Sequence, residues 1–183
     1  MAQVKQQFQK QQVPLASQSE GLDKQARLWH TDRILLYVAV GLCVIGLGIA
    51  GYLTYLHYTG DAIPCVAGGG CETVQKSQYS NFFGIPVALL GLFSYLVLLA
   101  LTAGRLRLSL TNQTNGRYRL DVALFLVNLA CVAFSAYLTS TEAFLINAWC
   151  IWCLGSAITL TIMLFVNGYR LWVNHFSADA PLN

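Results

Sequence analysis

Four of the six cysteines in this 183-residue chain fall into two closely spaced pairs. Cys65 and Cys71 bracket the segment CVAGGGC, and Cys150 and Cys153 close the CxxC motif Cys150-Ile151-Trp152-Cys153. Paired thiols can pass two electrons by making and breaking a disulfide, with the thiolate as the reacting form. The two pairs differ in kind. A helix starting near Asn147 would set Cys150 and Cys153 on one face, about 4.5 Å apart in depth, with Cys153 the deeper. Unpaired backbone N–H groups at a helix start stabilise a thiolate there. In the other pair, Gly68-Gly69-Gly70 gives the backbone freedom to close the ring. So small a ring removes little unfolded-state entropy, which suits exchange better than a purely structural bond. The polar segment Glu72–Tyr79 is expected to begin a short surface helix with Cys71 at its N-terminus.

Two other readings of four cysteines stay open at this point. Zinc favours four thiolates in a tetrahedral site, although a CxxxxxC spacing in an oxidising compartment works against it. A four-span scaffold or transporter with incidental disulfides is the other. Transport of a charged solute would call for more ionisable groups inside the spans than His57, which is expected to be interfacial.

The elements that must hold these cysteines follow from composition. The chain is 56% hydrophobic and 10% charged, far from the balance of a soluble domain, so a bilayer must cover most of its apolar surface. Four uncharged runs are long enough to span: Ile34–Gly60, Ser77–Gly104 with its apolar part from about Phe82, Val122–Thr141 and Ala143–Tyr169. Ten of the eleven basic residues flank these runs on one side: Lys5, Lys10, Lys24, Arg27, Arg33, Arg105, Arg107, Arg117, Arg119 and Arg170. Only Lys76 lies on the other. That asymmetry predicts cytoplasmic termini and a cytoplasmic Arg105–Asp121 loop. A net charge of +3 distributed in this way marks membrane flanks, and no nucleic-acid partner is expected.

The expected fold class is therefore an all-α integral membrane four-helix bundle, with an extracytoplasmic cysteine loop and a short surface helix. Residues 1–32 are expected to be a disordered cytoplasmic tail, 33–173 the membrane domain and 174–183 a second cytoplasmic tail. The first span reads as a permanent helix rather than a cleaved signal. On this topology Cys65, Cys71, Cys150 and Cys153 share the oxidising face, where disulfides persist. Cys43 and Cys131 lie inside spans and are expected to be packing residues.

The segment Cys65–Cys71, then Ser77, Phe83-Gly84-Ile85-Pro86, Gly91 and the distant CIWC resembles the vitamin K epoxide reductase family. Tyr52-Leu53-Thr54-Tyr55 at the end of the first span fits the same pattern, so the likeness covers about Arg33 to Arg170. It implies a four-helix bundle around a quinone of the ubiquinone or menaquinone type, and no metal. It further implies electrons delivered by a thioredoxin-fold partner to Cys65, then exchanged through Cys71 to Cys150, with Cys153 facing the quinone. Ser77 matches a Ser or Thr associated with the loop and active site. Many bacterial and plant members carry a fused thioredoxin-like domain, whereas this chain ends at Asn183, so a separate partner is expected. Vertebrate members place a Tyr one turn beyond the CxxC, here Ala157, and an Asn in span two, here apolar residues such as Val87. The resemblance thus implies a quinone-linked oxidase of dithiols in a bacterial inner membrane, with vitamin K quinone or epoxide reduction as the alternative.

Overall fold

The computed structural model describes residues 2–61, 65, 70–77, 80–82, 84–111 and 116–176, omitting the side chains of 2–22, 24, 25, 82, 175 and 176. Pro64, Gly68, Gly69, Phe83 and most of the expected C-terminal tail, 177–183, lie outside the described residues. The helices are α1 Ala2–Thr59, α2 Cys71–Lys76, α3 Val87–Leu110, α4 Arg117–Thr141 and α5 Ile151–Leu171. Between α2 and α3, strands β1 Asn81–Phe82 and β2 Ile85–Pro86 form a minimal antiparallel hairpin pairing Asn81 with Pro86. Its turn needs Gly84, whose φ is 81°.

Four helical segments are long and apolar enough to cross a membrane: Ala26–Thr59, Val87–Leu110, Arg117–Ile146 and Ile151–Asn174. They close a ring in which α1 packs on α3, α3 on α4, α4 on α5 and α5 on α1. Inside the ring, Cys43, Ala50, Tyr95, Leu98, Leu124, Leu160 and Met163 form a buried core. Outward-facing Val44, Phe93, Leu126 and Phe165 are exposed, the inverse of a soluble bundle. An all-helical chain is required there because lipid offers no partners for backbone N–H and C=O groups. Cys43 occupies the core as a packing residue, its thiol 3.9 Å from the Met163 sulfur. Tyr95 packs over Gly46, where an added Cβ would overlap the ring.

The structure redraws several boundaries. Helix α1 continues back to Ala2 through the stretch expected to be disordered. Its Gln, Lys and Ala residues favour a helix, while Pro14 and Gly21 count against one. The expected loop Arg105–Asp121 is mostly helix, since α3 runs on to Leu110 and α4 starts at Arg117. Arg105 and Arg170, read in the sequence as flanking charges, are 2% and 1% exposed. Arg105 Nε donates to Asp121 Oδ1 at 2.9 Å and its Nη2 to Asp32 Oδ2 at 3.3 Å. Arg170 mirrors it, with Nε on Asp32 Oδ1 at 3.0 Å and Nη2 on Asp121 Oδ1 at 3.2 Å. Asn174 adds a 2.8 Å bond to Asp32. All four spans are thereby tied together at one end, with two positive and two negative charges offsetting one another.

At the other end the third and fourth spans are joined differently from expectation. Helix α4 passes into a π-helical turn, Glu142–Ile146, which stops at Asn147 in a left-handed conformation of φ 52°. Ala148 N–H closes the turn on the Glu142 carbonyl at 3.2 Å. Helix α5 then begins at Ile151, not near Asn147, with Cys150 as its N-cap. Glu142, which seemed to separate two spans, belongs to the end of the third and is 3% exposed.

Candidate active site

The four paired cysteines meet at this second end. Cys65 and Cys71 form a disulfide with a Cα separation of 6.1 Å, while Cys150 and Cys153 are free thiols. Buried Cys71, Val74 and Cys150 form one cluster, with Cys65, Ile146, Ala148, Trp152 and Cys153 packed against it. Two sulfurs in a disulfide cannot serve as thiolate metal ligands, so the four-thiolate zinc arrangement is not what this geometry presents.

Local chemistry explains how the loop pair reaches the helix pair. Gly70 packs directly on Ala148, and a Cβ added at Gly70 would meet the Ala148 Cβ and Cα. The sequence suggested flexibility as the use of this glycine; the structure shows close approach instead. Cys71, the first residue of α2, is carried in with it, and Val74 pins the short helix to the cluster. Across the CxxC, the Trp152 ring lies 5.3 Å from that of Tyr52 on α1. That contact braces the start of α5 against a neighbouring span.

Cys150 is set up as the more acidic thiol. Its sulfur is held below the ordinary thiol range first by a hydrogen bond from Cys153. The backbone N–H groups of Cys153 and Trp152 help, and burial opposes them. As the N-cap residue, its side chain faces the unpaired donors of the first helical turn, which favours the thiolate. Its own backbone N–H donates to Glu142 Oε2 at 3.1 Å. The Glu142 carboxyl and Cys153 line the same cavity.

Beneath the sulfur cluster lies a cavity of about 150 Å³ between the four spans and α2. Its wall is mostly apolar, with Leu53, Val87, Phe134 and Leu138 among the lining side chains. Several polar residues interrupt it, among them His57, Ser77, Glu142, a set of Ser and Thr hydroxyls and the Tyr95 hydroxyl, which bonds Ser156 Oγ at 3.0 Å. Cys153 belongs to both the wall of the cavity and the sulfur cluster. Ser77 ends α2 by donating its Oγ to the Val74 carbonyl at 2.7 Å, and it also reaches the wall. His57, expected at an interface, is half-buried in the wall, as is Cys131, expected to be packing alone.

Glu142 is the residue that sequence reasoning missed. A charge normally ends a span, so in the sequence it reads as a boundary between two apolar runs. A lone carboxylate eight residues before a CxxC, preceded by Thr139-Ser140-Thr141 and followed by Ala143-Phe144-Leu145, is the available signal.

Comparison with known proteins bears on the whole arrangement. The thiol-disulfide oxidoreductase LTO1 of Arabidopsis thaliana is 36% identical over 124 residues. That match covers 63% of this chain but 31% of the relative, so the chain spans about a third of that protein's length. Residues 37–167 match the sequence profile of the Vitamin K epoxide reductase family. The match takes in every membrane span and all four clustered cysteines, and the chain belongs to that family.

Proposed function

We propose that this protein is a membrane thiol–disulfide oxidoreductase that oxidises a dithiol partner and passes the electrons to a quinone. The partner is a thioredoxin-fold protein that forms disulfides outside the cytoplasm. The membrane is a bacterial inner membrane, with both termini and the arginine end cytoplasmic. One observation carries the reading: Cys153 is shared between the sulfur cluster and an apolar cavity. Electrons arriving by thiol exchange therefore have a route out of the sulfur system into a membrane-embedded pocket.

The order of steps follows from exposure and burial. Cys65 is partly exposed while Cys71 and Cys150 are buried, so a soluble protein would meet Cys65 first. A thiolate freed at Cys71 attacks Cys150 and displaces Cys153, and the loop disulfide reforms when Cys65 attacks Cys71. The state this order would leave, loop pair joined and CxxC thiols free, is compatible with the Cys65–Cys71 disulfide and the free Cys150 and Cys153. Cys150, as the favoured thiolate, then closes the disulfide with Cys153.

The cavity fits a quinone ring. It is a concave, largely apolar space with few polar groups, as such ligands require. Leu53, Val87, Phe134 and Leu138 would pack the ring, and His57 in the same wall would donate to one of its oxygens; the Ser77 hydroxyl, which lines the wall too, is already given to the Val74 carbonyl. When bound, a quinone supplies a sink for two electrons and two protons. Val87 offers an apolar surface in this wall, which favours dithiol oxidation over the epoxide chemistry of vertebrate family members.

The test is direct. A reduced thioredoxin-fold protein is supplied to the purified chain, and decylubiquinone or menadione reduction is followed optically. Turnover that survives Cys153→Ala would sink the assigned exit route. Cys65→Ala should block transfer from the protein partner while leaving reduction by dithiothreitol partly intact.

A further inference from the structure

Glu142 has a placement that holding the fold together does not account for. It is the single carboxyl among the described residues lining the cavity, and it is 3% exposed. A carboxyl at such a depth is costly unless it is paired with a cation or able to hold a proton. At the far end of the bundle, each buried carboxylate has two guanidinium partners. Among the described residues no Lys, Arg or His pairs with Glu142. What it touches instead is the start of the reacting pair, the Cys150 backbone N–H at 3.1 Å, and it shares the cavity wall with Cys153. The π-helical turn that begins at Glu142 sets it beside the start of α5.

We propose that Glu142 is a catalytic proton carrier, taking the proton that leaves the Cys153 thiol and delivering it to the electron acceptor in the cavity. This rests on the quinone reading above. The balance is as follows. The Cys150 thiolate bonds to the Cys153 sulfur, an S–S bond forms, and two electrons leave the cysteine pair for the quinone. Two O–H bonds form on the quinone. One proton comes from Cys153 through Glu142, and the other, lost when Cys150 ionises, is replaced from water at the outer surface. Glu142 ends the cycle in the protonation state in which it began. The titratable groups around it are Cys150 at the N-cap of α5 and, in the same cavity wall, Cys153 from α5, His57 from α1, Tyr95 from α3 and Cys131 from α4.

The test uses the full chain in lipid nanodiscs. Infrared difference spectra taken as the CxxC is oxidised without quinone, so that the Cys153 proton has no acceptor beyond Glu142, should show a carboxyl carbonyl band that vanishes in Glu142→Gln. Glutamine keeps an oxygen for the Cys150 N–H, so a purely structural role predicts near wild-type decylubiquinone reduction in E142Q. Proton carriage predicts a loss on the order of 10²–10⁴-fold, the usual range for removing a general acid–base group. Glu142→Asp should recover part of it, and the pH–rate profile of E142Q should lose a limb present in the wild type. Exchange between Cys71 and Cys150, read with a reduced thioredoxin-fold protein, should fall far less than quinone reduction in E142Q, which shows that the site is folded. Wild-type turnover and pH profile in E142Q would overturn the proposal. A wild-type spectrum without the band would also overturn it, as would equal losses of exchange and turnover. Failure of the quinone reading looks different: no reduction of decylubiquinone or menadione by the wild type, while the Glu142 band still tracks the cysteine pair.

Discussion

The two ends of the bundle handle buried charge in opposite ways. At the arginine end, Arg105 and Arg170 share Asp32 and Asp121, drawing on all four spans, and the charges offset in place. At the cysteine end, Glu142 is buried beside two thiols and an apolar cavity, with no cation on it among the described residues. Paired charges in low dielectric lock a geometry, since removing any one strands its partners. A carboxyl beside titratable sulfurs can change protonation state, and so can take part in chemistry. The first end is built to stay as it is. The second, on the proposed function, contains groups that change.

Mutations should separate these two designs. The largest effect on function is expected at the cysteine end: Cys153→Ala or Cys150→Ala should abolish quinone reduction, followed optically, with little change in thermal unfolding. The largest effect on stability belongs to the other end. Arg170→Gln or Asp121→Asn should destabilise by about 3–5 kcal/mol, the range for breaking a buried ion pair from one side. Denaturation in mixed micelles would read it, and the CxxC should still exchange in the surviving folded fraction. Equal behaviour of the two classes would erase the distinction drawn here.

Intermediate effects come from close approach. Gly70→Ala puts a methyl into Ala148 and should slow Cys71–Cys150 exchange by up to about 100-fold through misplacement. Mixed-disulfide trapping would measure this at near-constant stability. Gly46→Ala meets the Tyr95 ring and should cost about 1–3 kcal/mol as overpacking. A milder signature concerns acidity. Because Cys153 is the first cause of the lowered Cys150 value, alkylation of Cys150 should begin below the ordinary thiol range of pH. Its midpoint should move upward in Cys153→Ala, as mass spectrometry of alkylated peptides can show. The smallest effect is expected for Cys43→Ala, a core thiol against Met163, which should leave turnover near wild type.

Length, hydropathy and charge sufficed for four spans, because a bilayer rewards long uncharged helical runs whatever their neighbours are. Cysteine spacing was equally readable: Cys65, Cys71, Cys150 and Cys153 stand out by type and position, and alternation of the spans alone puts them at one end. The pairing of Gly70 with Ala148, the cavity wall and the roles of His57 and Cys131 were not legible. Each depends on which faces of the helices meet, and that is decided by packing between segments far apart in the chain. Arg105 and Arg170 carry the same lesson. A linear string shows a charge near the end of a span, but only the folded bundle shows Asp32 and Asp121 turned toward it. Glu142 marks the boundary between the two kinds of knowledge. Its presence is plain in the sequence, whereas its place beside Cys150 and Cys153 required the π-helical turn and the left-handed Asn147 that bring the two spans together.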